Sequence, residues 1–406
     1  MTYKTVAIIG GGASGLMSAI VAAQEGHVVH LFEKNAHVGK KILASGNGRC
    51  NISNKNLHVS DYYSRQPAFA AEALQRFTFH DFETFCFQIG LLLDTKKDGR
   101  AYPRSYEAKA VVTALRRYAL QCGVTIVTDT FVEKVVKNRH HFHLHVNSHL
   151  YDAVIVATGS KAAPQLGAND SGYAIARSFH HHIIPPYPSL VQLCLESTCH
   201  AKMAGVKQHA EVTLYVNNKQ EEQTQGDILF TKYGISGFAI LDISHAASLA
   251  LQSQQCVTLG IDLFTQTPRS KLLKLLHNTC HRLENYSIAE IVSLLIPSKM
   301  VPHLLHAAHI APQTSAKMLN TKTVKQIVNL LKDWRFTVTQ THGFQHAEVS
   351  GGGVDTAELN PHTFESLQCK NLYFVGEVCD IVGRRGGYNL HFAWASGYAA
   401  AQAIST

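Results

Sequence analysis

Three glycines set the chemistry at the start of this chain. Gly10, Gly12 and Gly15 stand in a G-x-G-x-x-G spacing, between a short apolar run at Thr5–Ile9 and a helical stretch over residues 15–25. Glycine at such positions lets the backbone turn tightly and approach a pyrophosphate, while the following helix offers its N-terminal N–H groups to the anion. Ala13 and Ser14 lie in the same turn. A second apolar run, Val28–Phe32, ends at Glu33 and Lys34, with Glu33 placed 18 residues beyond Gly15. A carboxylate there accepts hydrogen bonds from both hydroxyls of an unphosphorylated adenosine ribose. Strand, glycine turn, helix and second strand make one βαβ unit of a parallel, dinucleotide-binding sheet. A plain glycine turn gives no reason for Glu33.

The glycine pattern alone does not separate FAD from NAD. Two later segments do. Residues 152–159, ending in Ala157-Thr158-Gly159, resemble the strand that passes beneath the cofactor in two-dinucleotide flavoproteins. Residues 371–380 resemble the C-terminal flavin motif of those proteins, in which an acidic residue binds the ribitol or approaches the pyrophosphate. Gly376, Glu377 and Asp380 are its members here. A NAD dehydrogenase has no need of this late return, so the reading is FAD. Val132 matches the strand position whose backbone holds the adenine edge.

A third segment, residues 39–51, carries Lys41, Ser45, Gly48, Arg49, Cys50 and Asn51. Small residues before an Arg and an Asn let backbone N–H groups approach a flavin ring and phosphates. Taken with Gly386-Gly387-Tyr388-Asn389-Leu390, residues 393–397, Gly99-Arg100-x-Tyr102-Pro103 and residues 230–237, it makes the chain resemble the bacterial BaiN-type flavoproteins. The resemblance spans nearly the whole sequence. It implies an α/β fold: a split Rossmann-like FAD-binding domain with an inserted β-barrel and a small helical subdomain. It also implies NAD(P)H as reductant and places Arg49, Asn51, Gly387, Tyr388 and Asn389 beside the flavin. Members resemble aminoacetone oxidases, bile-acid-pathway reductases and enzymes that reduce a uridine of large-subunit ribosomal RNA to dihydrouridine. The chain departs from the family pattern twice. Asn47 replaces a glycine, and Arg384-Arg385 replace apolar residues or threonine, adding cations that favour an anionic substrate.

These residues need elements to position them, and 406 residues with 46% apolar content are enough for two or three domains. The expected division is residues 1–190 and 341–406 for the FAD domain, 191–267 for the barrel and 268–340 for the helical insert. The uncharged run over residues 6–23 resembles a signal peptide or membrane span, but its successive glycines break any continuous helix. A buried strand, turn and helix explain it. No other run suits a bilayer, and nine scattered cysteines without a CxxC pair suit a reducing compartment. The expected location is the cytoplasm.

Other candidates carry less. His141, His143 and His145 alternate with Phe142, Leu144 and Val146, the pattern of a half-buried strand rather than a metal site. His180-His181-His182 stands at a helix end and reads as solvated. No metal is expected. Cys50 and Cys379 invite a dithiol relay, but they come from distant segments and read as structural.

Charge is more telling. The net formal charge is +8, and residues 265–335 hold ten Lys/Arg against three Asp/Glu. Residues 96–117 hold seven against two, including Arg100 and Arg104. Concentrated basic segments suit phosphate contacts with RNA, and a solvated lysine-rich face is the competing account. The leading expectation is therefore flavin hydride transfer to a uracil of ribosomal RNA. Arg100, Arg104, Arg384 and Arg385 are then the substrate contacts, and Cys50 or Tyr388 the general acid. The alternatives are an amine oxidase or reductase acting on a small molecule, and a non-catalytic flavin-containing RNA-binding factor.

Overall fold

The computed structural model describes residues 3–196 and 199–405. The chain divides into two compact units, one of residues 1–187 and 348–406, the other of residues 188–347.

The first unit is built on a five-stranded parallel sheet. Its strand order is Leu372–Phe374, Ala153–Val156, Thr5–Ile9, Val28–Phe32 and Thr125–Val127. The inner strands are continuous apolar runs, as a sheet covered on both faces requires, and Val6 to Ile8 and Val154 to Val156 are fully buried. The first helix, Ala13–Gln24, is buried over nine successive residues from Ser14 to Ala22. A helix apolar all round is one wedged between layers. Here the outer layer is the C-terminal helix, Tyr388–Ile404, whose Gly397 carbonyl accepts from Ser18 Oγ at 3.0 Å. A Cβ on Gly397 would stand 2.5 Å from the Ser14 carbonyl oxygen, so glycine is what lets the two helices touch.

Some boundaries differ from the sequence expectation. The C-terminal helix begins at Tyr388, so the Gly386-Gly387 pair is its entry turn. Val132 is buried but precedes its strand, Val135–Asn138, instead of lying within it. The His141–Leu144 strand does alternate, with Phe142 and Leu144 buried, and His141 Nδ1 lies 3.2 Å from Asp152.

The second unit contains a closed antiparallel barrel. Around it run Leu193–Leu195, Gly234–Ser236, Lys219–Phe230, Lys207–Val216, Val257–Asp262 and Trp334–Thr341. The turn at Asn217-Asn218 has positive φ at both residues, as a two-residue hairpin demands. Gly226-Asp227 lies inside a strand, where a Cβ on Gly226 would already touch Ala239 of the Phe238–Gln252 helix. That helix is buried along most of its length and leaves no amphipathic signature to read.

Four further helices, Arg269–Arg282, Ile288–Ser293, Val301–Ala307 and Thr321–Lys332, precede the last barrel strand. The helical segment is therefore spliced between two neighbouring strands of the barrel and shares its hydrophobic core. Lys332 locks the splice: its Nζ lies 2.5 Å from Asp262 Oδ2, with both side chains largely buried.

Candidate functional site

The glycine turn is shaped by what surrounds it. Gly10 has φ 108°, and a Cβ there would lie 2.4 Å from the Ala157 carbonyl oxygen. On Gly15 it would lie 1.8 Å from the Gly10 carbonyl oxygen. Both glycines are thus required by backbone-to-backbone approach. Gly12 differs. Nothing lies within 4 Å of its would-be Cβ, and the same holds for Gly159 (φ 73°) and Gly48 (φ 81°). Three glycines from three separate loops therefore face open space.

Glu33, at the end of its strand, is nearly buried and already oriented. Its Oε2 accepts from Gly11 N at 2.8 Å, and its Oε1 accepts from the backbone and side-chain nitrogens of Asn35. Asn35 fills both acceptor sites of Oε1, so Oε2 is the oxygen that retains capacity for a sugar hydroxyl. Lys34 lies over the Phe131 ring, and burial holds its ammonium below the ordinary lysine range.

Glu377 is the second anchor. Its Oε2 pairs with Lys41 Nζ at 2.6 Å, and its Oε1 accepts from Ser160 Oγ at 2.8 Å and Ser350 N at 2.9 Å. This carboxylate ties the short Lys40–Ala44 helix to the loop after Gly159 and to the Val349–Val354 strand. Gly376 sits against Ser14, which joins the C-terminal motif to the start of the first helix. Asp380 behaves differently. It is buried, accepts from Arg65 N at 3.1 Å, and burial pushes its carboxyl up.

The loop at residues 45–51 turns through left-handed backbone at Gly46, Asn47, Gly48 and Cys50. Asn47 adopts φ 55°, so the replacement of the family glycine is accommodated. Ser45 closes the preceding helix by donating to the Ile42 carbonyl. Arg49 is exposed and has no ion-pair partner among the described residues. Asn51 carries a buried Oδ1 without a hydrogen-bond partner among the described residues.

That orphan oxygen lies against the second glycine pair, since a Cβ on Gly387 (φ 98°) would stand 3.0 Å from it and 2.3 Å from the Ser53 carbonyl oxygen. Asn54 Nδ2 donates to the Gly386 carbonyl at 2.9 Å. The Asn389 side chain bridges Gly383 N and O, both at 2.7 Å, and reaches the Arg384 carbonyl. Asn389 therefore braces the arginine-bearing loop.

The structure brings Arg100 to the same loop, with its side chain beside Gly386, and leaves Arg104 exposed 3.6 Å from Asp94. Arg100 is held by Asp98 at 2.7 Å, and Arg384 is held by Asp61 and Tyr63.

The two candidate acids separate clearly. Cys50 is fully buried and burial pushes its thiol up to about 11. Tyr388 is half-buried, and burial also raises its phenol. Cys50 and Cys379 are both buried free thiols, and Cys379 Sγ donates to the Phe374 carbonyl.

Sequence reading missed Asn54, Ser160 and Ser350, which orient its candidates. Ser160 directly follows Thr158-Gly159 and Ser350 directly precedes three glycines, so their position was the available signal.

Open-faced glycines, a sugar-poised Glu33 and an unmet buried acceptor on Asn51 fit a dinucleotide with a polar ring system. Together with the late return of the chain into the parallel sheet, they define an FAD-dependent oxidoreductase. The chain belongs to the HI0933-like protein Rossmann domain family, whose model matches residues 4–403. It is 34% identical over 404 residues to a 3-dehydro-bile acid delta(4,6)-reductase of Clostridium scindens, covering 98% of each chain. It is 33% identical over 411 residues to a ribosomal RNA dihydrouridine synthase of Haemophilus influenzae, covering 99% of each. The Escherichia coli protein of that name is 32% identical over 400 residues, covering 97% of this chain and 96% of its own.

Proposed function

We propose that this flavoenzyme reduces a uridine of large-subunit ribosomal RNA to dihydrouridine in the cytoplasm, using NAD(P)H as reductant. The observation that carries the reading is the end-to-end match to two ribosomal RNA dihydrouridine synthases. The surface of the barrel unit supports it. Of the ten basic residues between 265 and 335, Lys332 and Arg335 are paired with Asp262 and Asp333. Arg269 bonds Asn329 and Lys299 reaches the Ala204 carbonyl. Lys271, Lys274, Arg282, Lys317, Lys322 and Lys325 are exposed and have no ion-pair partner among the described residues. Six such cations suit a polyanion.

FAD, when bound, supplies hydride chemistry. Its pyrophosphate is assigned to the turn of Gly10, Gly12, Ala13, Ser14 and Gly15, and its adenosine ribose to Glu33, with Lys34 and Val132 nearby. Gly159, Thr158 and Ala157 form the floor. Lys41, Ser45, Gly48, Arg49, Asn51, Gly376, Glu377, Gly387 and Asn389 complete the cradle, with Asp380 shaping its wall.

Saturating the uracil C5–C6 double bond needs a hydride at one carbon and a proton at the other. Tyr388 is assigned as the proton donor, because it is partly exposed and burial keeps its phenol protonated. Cys50, without any exposure, is assigned to packing. Arg100, Arg104, Arg384 and Arg385 are assigned to the substrate's phosphates.

The similarity to a bile acid reductase supports a second reading, reduction of a small molecule. Mapping dihydrouridine in ribosomal RNA from cells with and without the gene separates the two. Loss of one dihydrouridine on deletion, restored by the wild type and not by Tyr388→Phe, is expected; an unchanged map rules out the RNA reading.

A further inference from the structure

The barrel unit holds three rings that its hydrophobic core does not use. Tyr233, just before the Gly234–Ser236 strand, stacks on His342 with centroids 3.7 Å apart and planes 16° from parallel. His342 stacks in turn on His346, at 3.8 Å and 9°. Core aromatic pairs favour offset or edge-to-face contact, whereas this column is face to face. Its spacing approaches the about 3.4 Å step between stacked bases of a nucleic acid strand.

The backbone builds the column. His342 N donates to the Gln192 carbonyl at 2.8 Å, and His346 N donates to the Gly343 carbonyl at 3.1 Å. The turn at Gly343 (φ 78°) thus brings two imidazoles four residues apart onto one side. His346, at the end of the column, is exposed.

A second observation points outward as well. His342 Nδ1 and Gln192 Oε1 are both buried and without a hydrogen-bond partner among the described residues. Buried polar atoms are ordinarily paired, so two on adjoining backbone positions mark hydrogen-bonding capacity left for a ligand or water.

We propose that Tyr233, His342 and His346 form a stacking platform for a base of single-stranded RNA, with exposed His346 presenting the face on which the base stacks. The proposal rests on the RNA reading given above and names residues that serve it. Flat rings are how proteins hold unpaired bases, because every base has a face to stack. The six unpaired cations of this same unit favour a polyanion over a single nicotinamide ring.

The test uses the FAD-loaded full-length protein and a short fluorescent uridine-rich single-stranded RNA. His346→Ala is expected to weaken binding about tenfold, while His346→Phe, which keeps a flat ring, stays within about twofold of wild type. Flavin absorbance should be the same in all three proteins, which reports intact folding. If His346→Ala binds as tightly as wild type, the platform is wrong and the RNA reading stands. If His346→Phe is as weak as His346→Ala, stacking is not the cause and the platform again fails. If wild type binds no RNA, both fail. A titration with NADH closes the remaining route: a raised half-saturating concentration in His346→Ala, with RNA affinity unchanged, assigns the column to nicotinamide and overturns the proposal.

Discussion

In the parallel-sheet unit, the glycine turn is dictated by backbone contacts; in the barrel unit, the basic residues take their roles from the side chains around them. Gly10 and Gly15 have carbonyl oxygens where a Cβ would go, and Gly12 has open space. Nothing but glycine satisfies the first two positions, so their identity is dictated by geometry. Among the basic residues of the barrel unit, by contrast, Lys332 is a buried structural clamp while Lys322 and Lys325 are exposed. The same residue type does two jobs, and only the folded structure tells them apart.

The largest expected effect tests the backbone side of this contrast. Gly10→Ala forces a side chain into left-handed backbone and against Ala157, which should cost about 3 kcal/mol or more and lower FAD affinity about a hundredfold. The measurement is the flavin-to-protein absorbance ratio after gel filtration. A fully yellow variant would show that the turn has room.

Lys332→Ala tests the clamp. Breaking a largely buried pair should lower stability by about 3 kcal/mol, read by denaturant unfolding, whereas Lys325→Ala should leave it within about 0.5 kcal/mol. Equal effects would erase the distinction between the two kinds of lysine.

A buried histidine of the sheet unit gives a pH signature. His391 Nε2 donates to the Phe77 carbonyl, its Nδ1 accepts from Ser53 Oγ, and burial pushes the imidazole down from 6.5 to about 4. The unfolded chain binds this proton first as pH falls. Stability is therefore full above pH 6.5 and declines toward pH 4, by up to about 3 kcal/mol from this residue. His391→Gln should flatten that part of the pH profile.

Glu377→Gln keeps an acceptor for Ser160 and Ser350 but sets an amide against Lys41, so FAD affinity should fall about tenfold, near 1.4 kcal/mol. Fluorescence titration of the stripped protein with FAD measures it. The smallest effect belongs to the surface: Lys322→Ala or Lys325→Ala should reduce the salt dependence of RNA binding by about one unit of slope each, without altering flavin content.

The sequence made the parallel sheet legible because Gly10 and Gly15 are irreplaceable and its strands are uninterrupted apolar runs. Glu33 and Glu377 were visible for the same reason, since each closes a strand that the pattern locates. Asp380 was read with them, but whether a carboxylate faces a cavity or braces a loop through Arg65 is a tertiary fact. The Phe238–Gln252 helix was passed over because burial on nearly every side removes the periodicity that betrays a helix. The strand Trp334–Thr341 was assigned in part to the helical segment, since nothing local says that a barrel closes across four intervening helices. The ring column of Tyr233, His342 and His346 joins residues about a hundred positions apart and has no local signal at all.

The late return of the chain sets an order of assembly on the ribosome. Residues 188–347 contain every strand of the barrel, so that unit's whole sequence has been synthesised before Leu372–Phe374 and Tyr388–Ile404 exist. Until those two segments emerge, the nascent sheet waits with an unpaired edge at Ala153–Val156 and an uncovered first helix. Such edges are where growing chains pair wrongly. Synthesis of Leu372–Phe374 and Tyr388–Ile404 therefore both completes the sheet and retires the hazard.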